Sequence, residues 1–231
     1  MNTANSWWHT ILDLFFPRVC VACKQEKVQD IPICVQCLAG LPILMTSNSS
    51  NHPAHQRLQQ RFLYQEAFSY FYMNKNGVVH ELLHQVKYKY RKDLALYLGE
   101  LLAIAVQGFF TTKIDAVIAV PIHVEKIKMR GYNQSFLLAE CIAKKMNIPF
   151  YPKALIKVKN TSSQTSKTRL ERIKNLRESI QAGECHSLEG KNVLLVDDVL
   201  TTGSTLEACS EALQHIPNMK LNIATLALAG D

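Results

Sequence analysis

The run Val193-Leu194-Leu195-Val196-Asp197-Asp198-Val199-Leu200-Thr201-Thr202-Gly203-Ser204-Thr205 constrains this chain more than any other stretch. Val193 to Val196 has the length and β-branching of a buried parallel strand, and Leu206 to Ile216 resumes with Leu206, Leu213 and Ile216 on one side of an amphipathic helix. The residues between them therefore form a strand-to-helix crossover. The free N–H groups and positive dipole end of a helix attract an anion there. Gly203 lets the backbone come close, and Thr201, Thr202, Ser204 and Thr205 add hydroxyl donors. Two adjacent carboxylates would repel a phosphate set directly against them, so Asp197 and Asp198 are expected to face neutral hydroxyls or a metal ion. A ribose 5-phosphate offers both kinds of partner. The sequence has no Gly-x-Gly-x-x-Gly, and Gly190-Lys191-Asn192 is not a Walker loop, so the common nucleotide folds find no support.

Other strand and helix signals extend the pattern. Ala67 to Met73 alternates weakly and reads as a strand of aromatic character, and Val79, Leu82, Leu83 and Val86 have helical spacing. Asp93 can cap a further helix carrying Leu94, Leu98, Leu101, Leu102, Ala105 and Phe109. Ala116 to Val120 is a buried strand. It runs into Pro121 and the basic turn Lys126 to Gly131, after which Ser135 to Met146 is helical. Asn222 to Ala229 is a last strand. Repeated strand-helix alternation predicts an α/β fold, a parallel sheet flanked by helices, with ligands at the carboxyl ends of the strands. Both the acid pair and Arg130 fall at such ends.

Cys20-x-x-Cys23 and Cys34-x-x-Cys37 form two knuckles near the N-terminus. Four thiolates at this spacing suit a structural, tetrahedral Zn²⁺ in a compact ribbon, with a redox pair as the rival reading. Knuckles of this kind often carry Gly after the second Cys, where a positive φ is useful, but Lys24 and Leu38 stand here. The expected organisation is an N-terminal helix and zinc ribbon over 1–45, a polar linker over 46–61 and the α/β domain over 62–231. His52 and His55 fall in that linker and are expected to be solvated. Trp7, Trp8, Ile11, Leu12, Phe15 and Phe16 would group on one side of a helix that docks on the body of the protein or on a partner.

The chain carries 26 Lys and Arg against 19 Asp and Glu, for a formal charge of +7. Half of the 26 basic residues lie between Lys126 and Arg177, against only Glu140 and Glu171 as acids. Polyanions are favoured partners for such a segment, and Arg169, Arg172, Lys174 and Arg177 are its candidate nucleic-acid contacts. Lys87-Tyr88-Lys89-Tyr90-Arg91-Lys92 interleaves cations with aromatics. That suits single-stranded nucleic acid, where bases stack on rings, but a helix end with snorkelling lysines reads the same in sequence. No segment approaches an uninterrupted apolar span of membrane length, and Ile11 to Phe16 is too short for one, so a cytoplasmic protein without signal peptide or membrane span is expected.

The strand, paired acids and Thr-Thr-Gly-Ser-Thr loop resemble the signature of type I phosphoribosyltransferases. Phe16-Pro17-Arg18-Val19-Cys20-Val21-Ala22-Cys23, Cys34-Val35-Gln36-Cys37 with Leu41-Pro42, Val120-Pro121 with Arg130-Gly131-Tyr132-Asn133-Gln134, and Gln164 with Arg169, Arg172 and Asn175 together resemble the ComF family of competence proteins. The resemblance spans nearly the whole chain and implies binding of phosphoribosyl pyrophosphate. Thr201, Thr202, Gly203, Ser204 and Thr205 would hold the 5-phosphate, and Asp197 and Asp198 the ribose hydroxyls. Arg130, with Lys128 second, would lie by the pyrophosphate. Mg²⁺ would bridge ribose and pyrophosphate, with Asp197, Asp198 and Arg130 as the catalytic set if transfer occurs. The stretch Lys157 to Arg177 occupies the place of a mobile flap. The resemblance further implies handling of incoming single-stranded DNA in natural transformation, beside cytoplasmic competence proteins such as a ComFA-like helicase. A metabolic phosphoribosyltransferase with an unidentified nucleobase or amine acceptor is the alternative, and no segment identifies an acceptor pocket.

Overall fold

Short apolar strands followed by amphipathic helices recur through the computed structural model, which describes residues 19–27, 30–46, 49–159 and 175–230. The chain forms two compact units, residues 1–41 and 42–231. Trp7 to Phe16, together with Arg169, Arg172 and Lys174, lie outside the described residues.

In the first unit Val19 and Glu26 form an antiparallel bridge around the first knuckle. The second knuckle opens the helix α1, Val35–Ala39, which has Cys34 at its N-cap. Lys24 adopts the left-handed backbone, φ 62°, that a glycine would take more readily, and its N–H donates to the Cys20 carbonyl at 2.9 Å.

The second unit runs α2 Pro53–Leu58, β1 Ala67–Met73, α3 Val78–Tyr88, α4 Lys92–Gln107, β2 Ala116–Ala119, α5 Val124–Arg130 and α6 Gln134–Met146. There follow β3 Leu155–Lys157, the short helix α7 at 175–179, β4 Ile180–Ala182, β5 Asn192–Leu200, α8 Ser204–Leu213 and β6 Lys220–Ala229. Strands order β1-β6-β5-β2, parallel throughout. The central strands β5 and β6 are buried on both sides, which is why they read as apolar runs rather than alternating ones. Leu58 of α2 and Leu206 and Leu213 of α8 pack with Val193, Leu195 and Ile223 of the strands in one core cluster. On the other side α4 and α6 pack against each other and the sheet, burying Leu98, Leu102 and Ile142. The fold is thus α/β, with a four-stranded parallel sheet flanked by helices. No helix among the described residues is long and apolar enough to cross a membrane.

Several expectations shift. The strand carrying the acid pair does not stop at Val196; β5 keeps its ladder with β6 to Leu200, so both carboxylates project from a strand. The basic turn is the helix α5, closed by Gly131 at φ 78°. Asp93 is not a cap but sits in the first turn of α4, paired with Arg91 at 2.7 Å. The segment read as a linker, 46–61, instead contains α2. Pro53 opens that helix, and Ala54 and Leu58, one turn apart, are buried in the core, so a few well-spaced apolar side chains outweigh the polar composition. His52 is fully buried. Its Nδ1 accepts from the Ala54 N–H at 3.1 Å, its ring lies 5.1 Å from Phe68 and 5.4 Å from Phe109, and burial pushes its pKa down to about 4. His55 Nδ1 meets the Tyr64 hydroxyl at 3.0 Å.

Candidate functional site

The parallel ladder between β2 and β5 brings the ends of both strands together, the Val120 N–H donating to the Val196 carbonyl at 2.9 Å. The next residue on β5, Asp197, accepts through Oδ1 from the Ser135 hydroxyl and from the Asp198 N–H, both at 2.8 Å. Burial, then the neighbouring Asp198 charge, push the Asp197 carboxyl up to about 7 against the opposing pull of Ser135, the Asp198 N–H and Lys87. Asp198 Oδ2 pairs with Lys87 Nζ at 2.9 Å, both side chains mostly shielded from solvent. The two neighbours therefore have different partners: Asp197 is held by hydroxyl and amide donors, Asp198 by an ammonium.

The residues that support this pair come from one short motif, and each has a structural task. Asn133 caps α6 through Oδ1, 3.0 Å from the Ser135 N–H, while its Nδ2 donates to the Val120 carbonyl at 3.0 Å. It thereby ties the loop after β2 to the helix that presents Ser135. The Tyr132 hydroxyl donates to the Val86 carbonyl at 2.7 Å, fastening the motif to the end of α3 and so to Lys87. Arg130 Nη1 donates to Gln134 Oε1 at 3.2 Å, and its guanidinium lies 5.6 Å from the Tyr88 ring centre. Arg130 Nε and Gln134 Nε2 are buried donors without a partner. Such atoms are costly to bury unless an acceptor reaches them. Lys126 joins the cluster: burial, then repulsion by Arg130 and Lys87, hold its pKa down. Lys157, paired with Ile180 at the end of the β3–β4 ribbon next to its connecting segment, has its pKa lowered by burial and by Lys126. Lys128 is exposed on α5.

After β5 the chain turns through Thr201 and Thr202 into Gly203, whose φ of 81° places it at the N-cap of α8. A Cβ there would stand 2.5 Å from Leu58 Cδ2, so α2 as well as the backbone angle requires glycine. Thr202 Oγ1 accepts from the Ser204 N–H at 3.4 Å, and Thr205 lies in the first turn. Two arginines of the former linker clasp this loop: Arg57 Nη1 donates to the Thr201 carbonyl at 3.1 Å, and Arg61 Nη2 reaches Ser204 Oγ at 3.4 Å and Glu207 at 3.1 Å. The crevice between Asp197, Thr201, Gly203 and Thr205 holds about 10 Å³, roughly one water, so a phosphate needs the turn to widen. A roomier cavity, about 770 Å³, opens instead between α4 and α6, lined by Leu96, Ile104 and Cys141, away from these residues.

Of the four basic residues expected to meet nucleic acid, only Arg177 is described. It is paired with Glu207 at 2.7 Å and Glu211 at 3.0 Å on α8. The antiparallel ribbon of β3 and β4 bounds the segment expected to be a flap. Sequence reasoning did not place Lys87, Ser135, Lys157, Arg57 or Arg61 at this site. Ser135 adjoins the quoted Arg130 to Gln134 motif and so had a signal, whereas Arg57 and Arg61 come close only through the folding of α2.

In the first unit, one ligand atom from each of Cys20, Cys23, Cys34 and Cys37 falls within 4.8 Å of all the others. This is the only group of three or more metal-ligating side chains among the described residues. The Cys34 N–H points at Cys20 Sγ, 3.3 Å away. Although burial opposes ionisation of Cys20, N–H groups of Cys34, Cys23 and Ala22 hold its pKa down to about 6. Burial and the neighbouring sulfurs push Cys37 up to about 12. Four sulfurs gathered this closely make a donor set that fits a metal such as Zn²⁺.

Comparison with known proteins finds relatives over most of the chain. Residues 132–230 match the phosphoribosyl transferase domain family. The DNA utilization protein YhgH of Escherichia coli K12 is 27% identical over 199 residues, covering 84% of this chain and 83% of that protein. Competence protein ComFC of Bacillus subtilis is 36% identical over 97 residues, 42% of this chain and 37% of that protein. Among solved structures, the adenine phosphoribosyl transferase of Trypanosoma brucei matches with a TM-score of 0.41 at 12% identity, over 69% of this chain and 83% of that one.

Proposed function

We propose that this chain, whose residues 132–230 match the phosphoribosyl transferase domain family and which is similar to YhgH and ComFC, is a ComF-type protein that binds phosphoribosyl pyrophosphate and handles single-stranded DNA during DNA uptake. The observation that carries the ligand reading is the pairing of differently held carboxylates at the end of β5 with unpartnered donors on Arg130 and Gln134 beside them. Carboxylates accept from ribose hydroxyls, and the orphaned donors suit phosphate oxygens. The turn 201–205 at the N-terminus of α8 suits the 5-phosphate. Mg²⁺ would come with the ligand's own oxygens, since the acid pair is not by itself a cluster of three ligands. If transfer follows, Arg130, Lys126 and Lys128 would steady the departing pyrophosphate. The four cysteines would hold a structural Zn²⁺.

The DNA half of the proposal rests on the relatives' names and on the basic excess between Lys126 and Arg177. It is tested together with the ligand half. Calorimetry of the full chain with phosphoribosyl pyrophosphate and Mg²⁺ should show one site, lost in Asp198→Ala. Pyrophosphate release is then followed with single-stranded DNA or with nucleobases as acceptor. Binding of single strands should weaken with salt at a log-log slope of about −0.7 per neutralised phosphate, a slope that replacing Arg169 and Arg172 flattens. Turnover with a nucleobase and no binding of single strands would make the chain a metabolic transferase instead.

A further inference from the structure

The segment Lys87 to Lys92 has two sequence readings, a stacking platform or a helix end whose lysines snorkel over buried rings, and the two differ in where the rings lie. α3 ends at Tyr88, and both Tyr88 and Tyr90 are open to solvent, at 53% and 64% exposure. Their rings are therefore not part of a core that lysine stems cover. Neither ring hangs free, however. Tyr88 lies 4.9 Å from the His84 ring on one side and faces the Arg130 guanidinium at 5.6 Å on another. The Tyr90 hydroxyl donates to the Met129 carbonyl at 2.7 Å, and its ring edge lies 3.5 Å from the position a Cβ would take on Gly131. A substituent at Gly131 would crowd that ring.

Tyr90 also has φ 53°, a left-handed backbone that bulky residues rarely adopt. Ordering a mostly exposed aromatic in this conformation has a cost, which the Met129 hydrogen bond and the contact with Gly131 offset only in part. Around the rings the surface is cationic. Lys89 and Lys128 are exposed and adjoin these contacts in sequence, Arg130 lies over Tyr88, and Lys87, the residue before Tyr88, reaches into the candidate site to pair with Asp198. Met129 stands exposed between Lys128 and Arg130.

Rigidly held, solvent-facing aromatic rings set among cations match the chemistry of a single nucleic-acid strand, whose bases stack on rings while its phosphates follow the positive charge. Accordingly, we propose that Tyr88 and Tyr90, with Lys89, Lys128 and Met129, form the surface on which single-stranded DNA stacks next to the acid pair. This inference rests on the single-strand reading above and adds to its site the junction of α3 and α5, whereas Arg177 is already neutralised by Glu207 and Glu211.

The test uses the full chain and a labelled oligothymidylate, with binding followed by fluorescence anisotropy at low salt. Tyr88→Ala and Tyr90→Ala should each weaken binding by about 5- to 100-fold, the range for losing one stacked base, while Tyr88→Phe should bind like the parent. Photocrosslinking of the unaltered protein to an oligonucleotide carrying 5-iodouracil should place adducts on residue 88 or 90, a readout that does not depend on how well the variants fold. Sedimentation of the same variants is measured in parallel. A parent that binds the strand while both alanine variants bind equally well, with adducts elsewhere, overturns the platform and leaves the single-strand reading standing. A parent that ignores the strand removes that reading and the platform with it. Variants that alter sedimentation but not DNA affinity would make the surface a contact between copies of this chain, which also overturns the proposal.

Discussion

Replacing Asp198 by Asn removes one of the two influences that keep Asp197 from ionising. Burial comes first and the Asp198 charge second in lifting the Asp197 carboxyl from 3.8 to about 7, while Ser135, the Asp198 N–H and Lys87 pull the other way. The ionised Asp197 accepts from ribose hydroxyls through both oxygens and more strongly than the protonated acid, so ligand binding is linked to its proton. The free protein holds that proton with a midpoint near 7, and the liganded form releases it. Affinity should therefore rise tenfold per pH unit up to about 7 and then level off. Between pH 7 and pH 5 the loss is about 100-fold, or about 2.7 kcal/mol at 1.36 kcal/mol per unit. The ligand's phosphates also titrate, with a second pKa near 6, so the informative quantity is the difference between parent and variant, in which the ligand's protons cancel. Asp198→Asn should move the break in the curve to lower pH. Ser135→Ala removes a bond that favours the carboxylate and should move it to higher pH. Calorimetry with phosphoribosyl pyrophosphate and Mg²⁺ from pH 5.5 to 8.5, in two buffers of different ionisation enthalpy, measures both the affinity and the protons released. Curves of the same shape for the parent and both variants would refute the linkage.

Three other outcomes follow from the same contacts. Removing metal with a chelator, or changing Cys20 and Cys34 to Ser, should open residues 19–41 to proteolysis and abolish bound zinc, because so short a unit has too little core of its own; a purified chain without zinc yet protease-resistant there would contradict this. Gly203→Ala should cost about 2–4 kcal/mol of stability in denaturant titration, from the left-handed backbone together with the close approach of Leu58, and should weaken ligand binding; an unchanged midpoint would mean that the turn is pliable. The His52 ring should titrate near 4 in a proton resonance titration, so its contribution to stability is complete above 6.5 and disappears as pH falls through 4, whereas a midpoint near 6.5 would mean a solvated ring.

The sequence and the fold agree where the signal is local. Apolar runs of strand length, the helical spacing of Val79 to Val86 and the glycine at 203 are local properties, and each is where the pattern puts it. The four cysteines converge because a knuckle needs only short-range turns. What escaped depends on long-range approach. Composition made 46–61 a linker, because nothing in a Ser-, Asn- and His-rich stretch says that Ala54 and Leu58 will meet the face of the sheet that carries Val193 and Leu195. Once they do, Arg57 and Arg61 stand against the turn after β5, more than 140 residues away. Lys87 has the same history: it read as one cation in a basic run until Tyr132, bonded to the Val86 carbonyl, fixed the end of α3 beside β5. The Arg130 to Gln134 motif thus acts mainly as a fastener. Its glycine closes α5, its tyrosine holds α3, and its asparagine starts the helix that delivers Ser135 to Asp197. A residue of such a motif can therefore be indispensable to the site without touching a ligand. Loss of Tyr132 should accordingly displace Lys87 before it disturbs Arg130, because its hydroxyl bonds only to the end of α3.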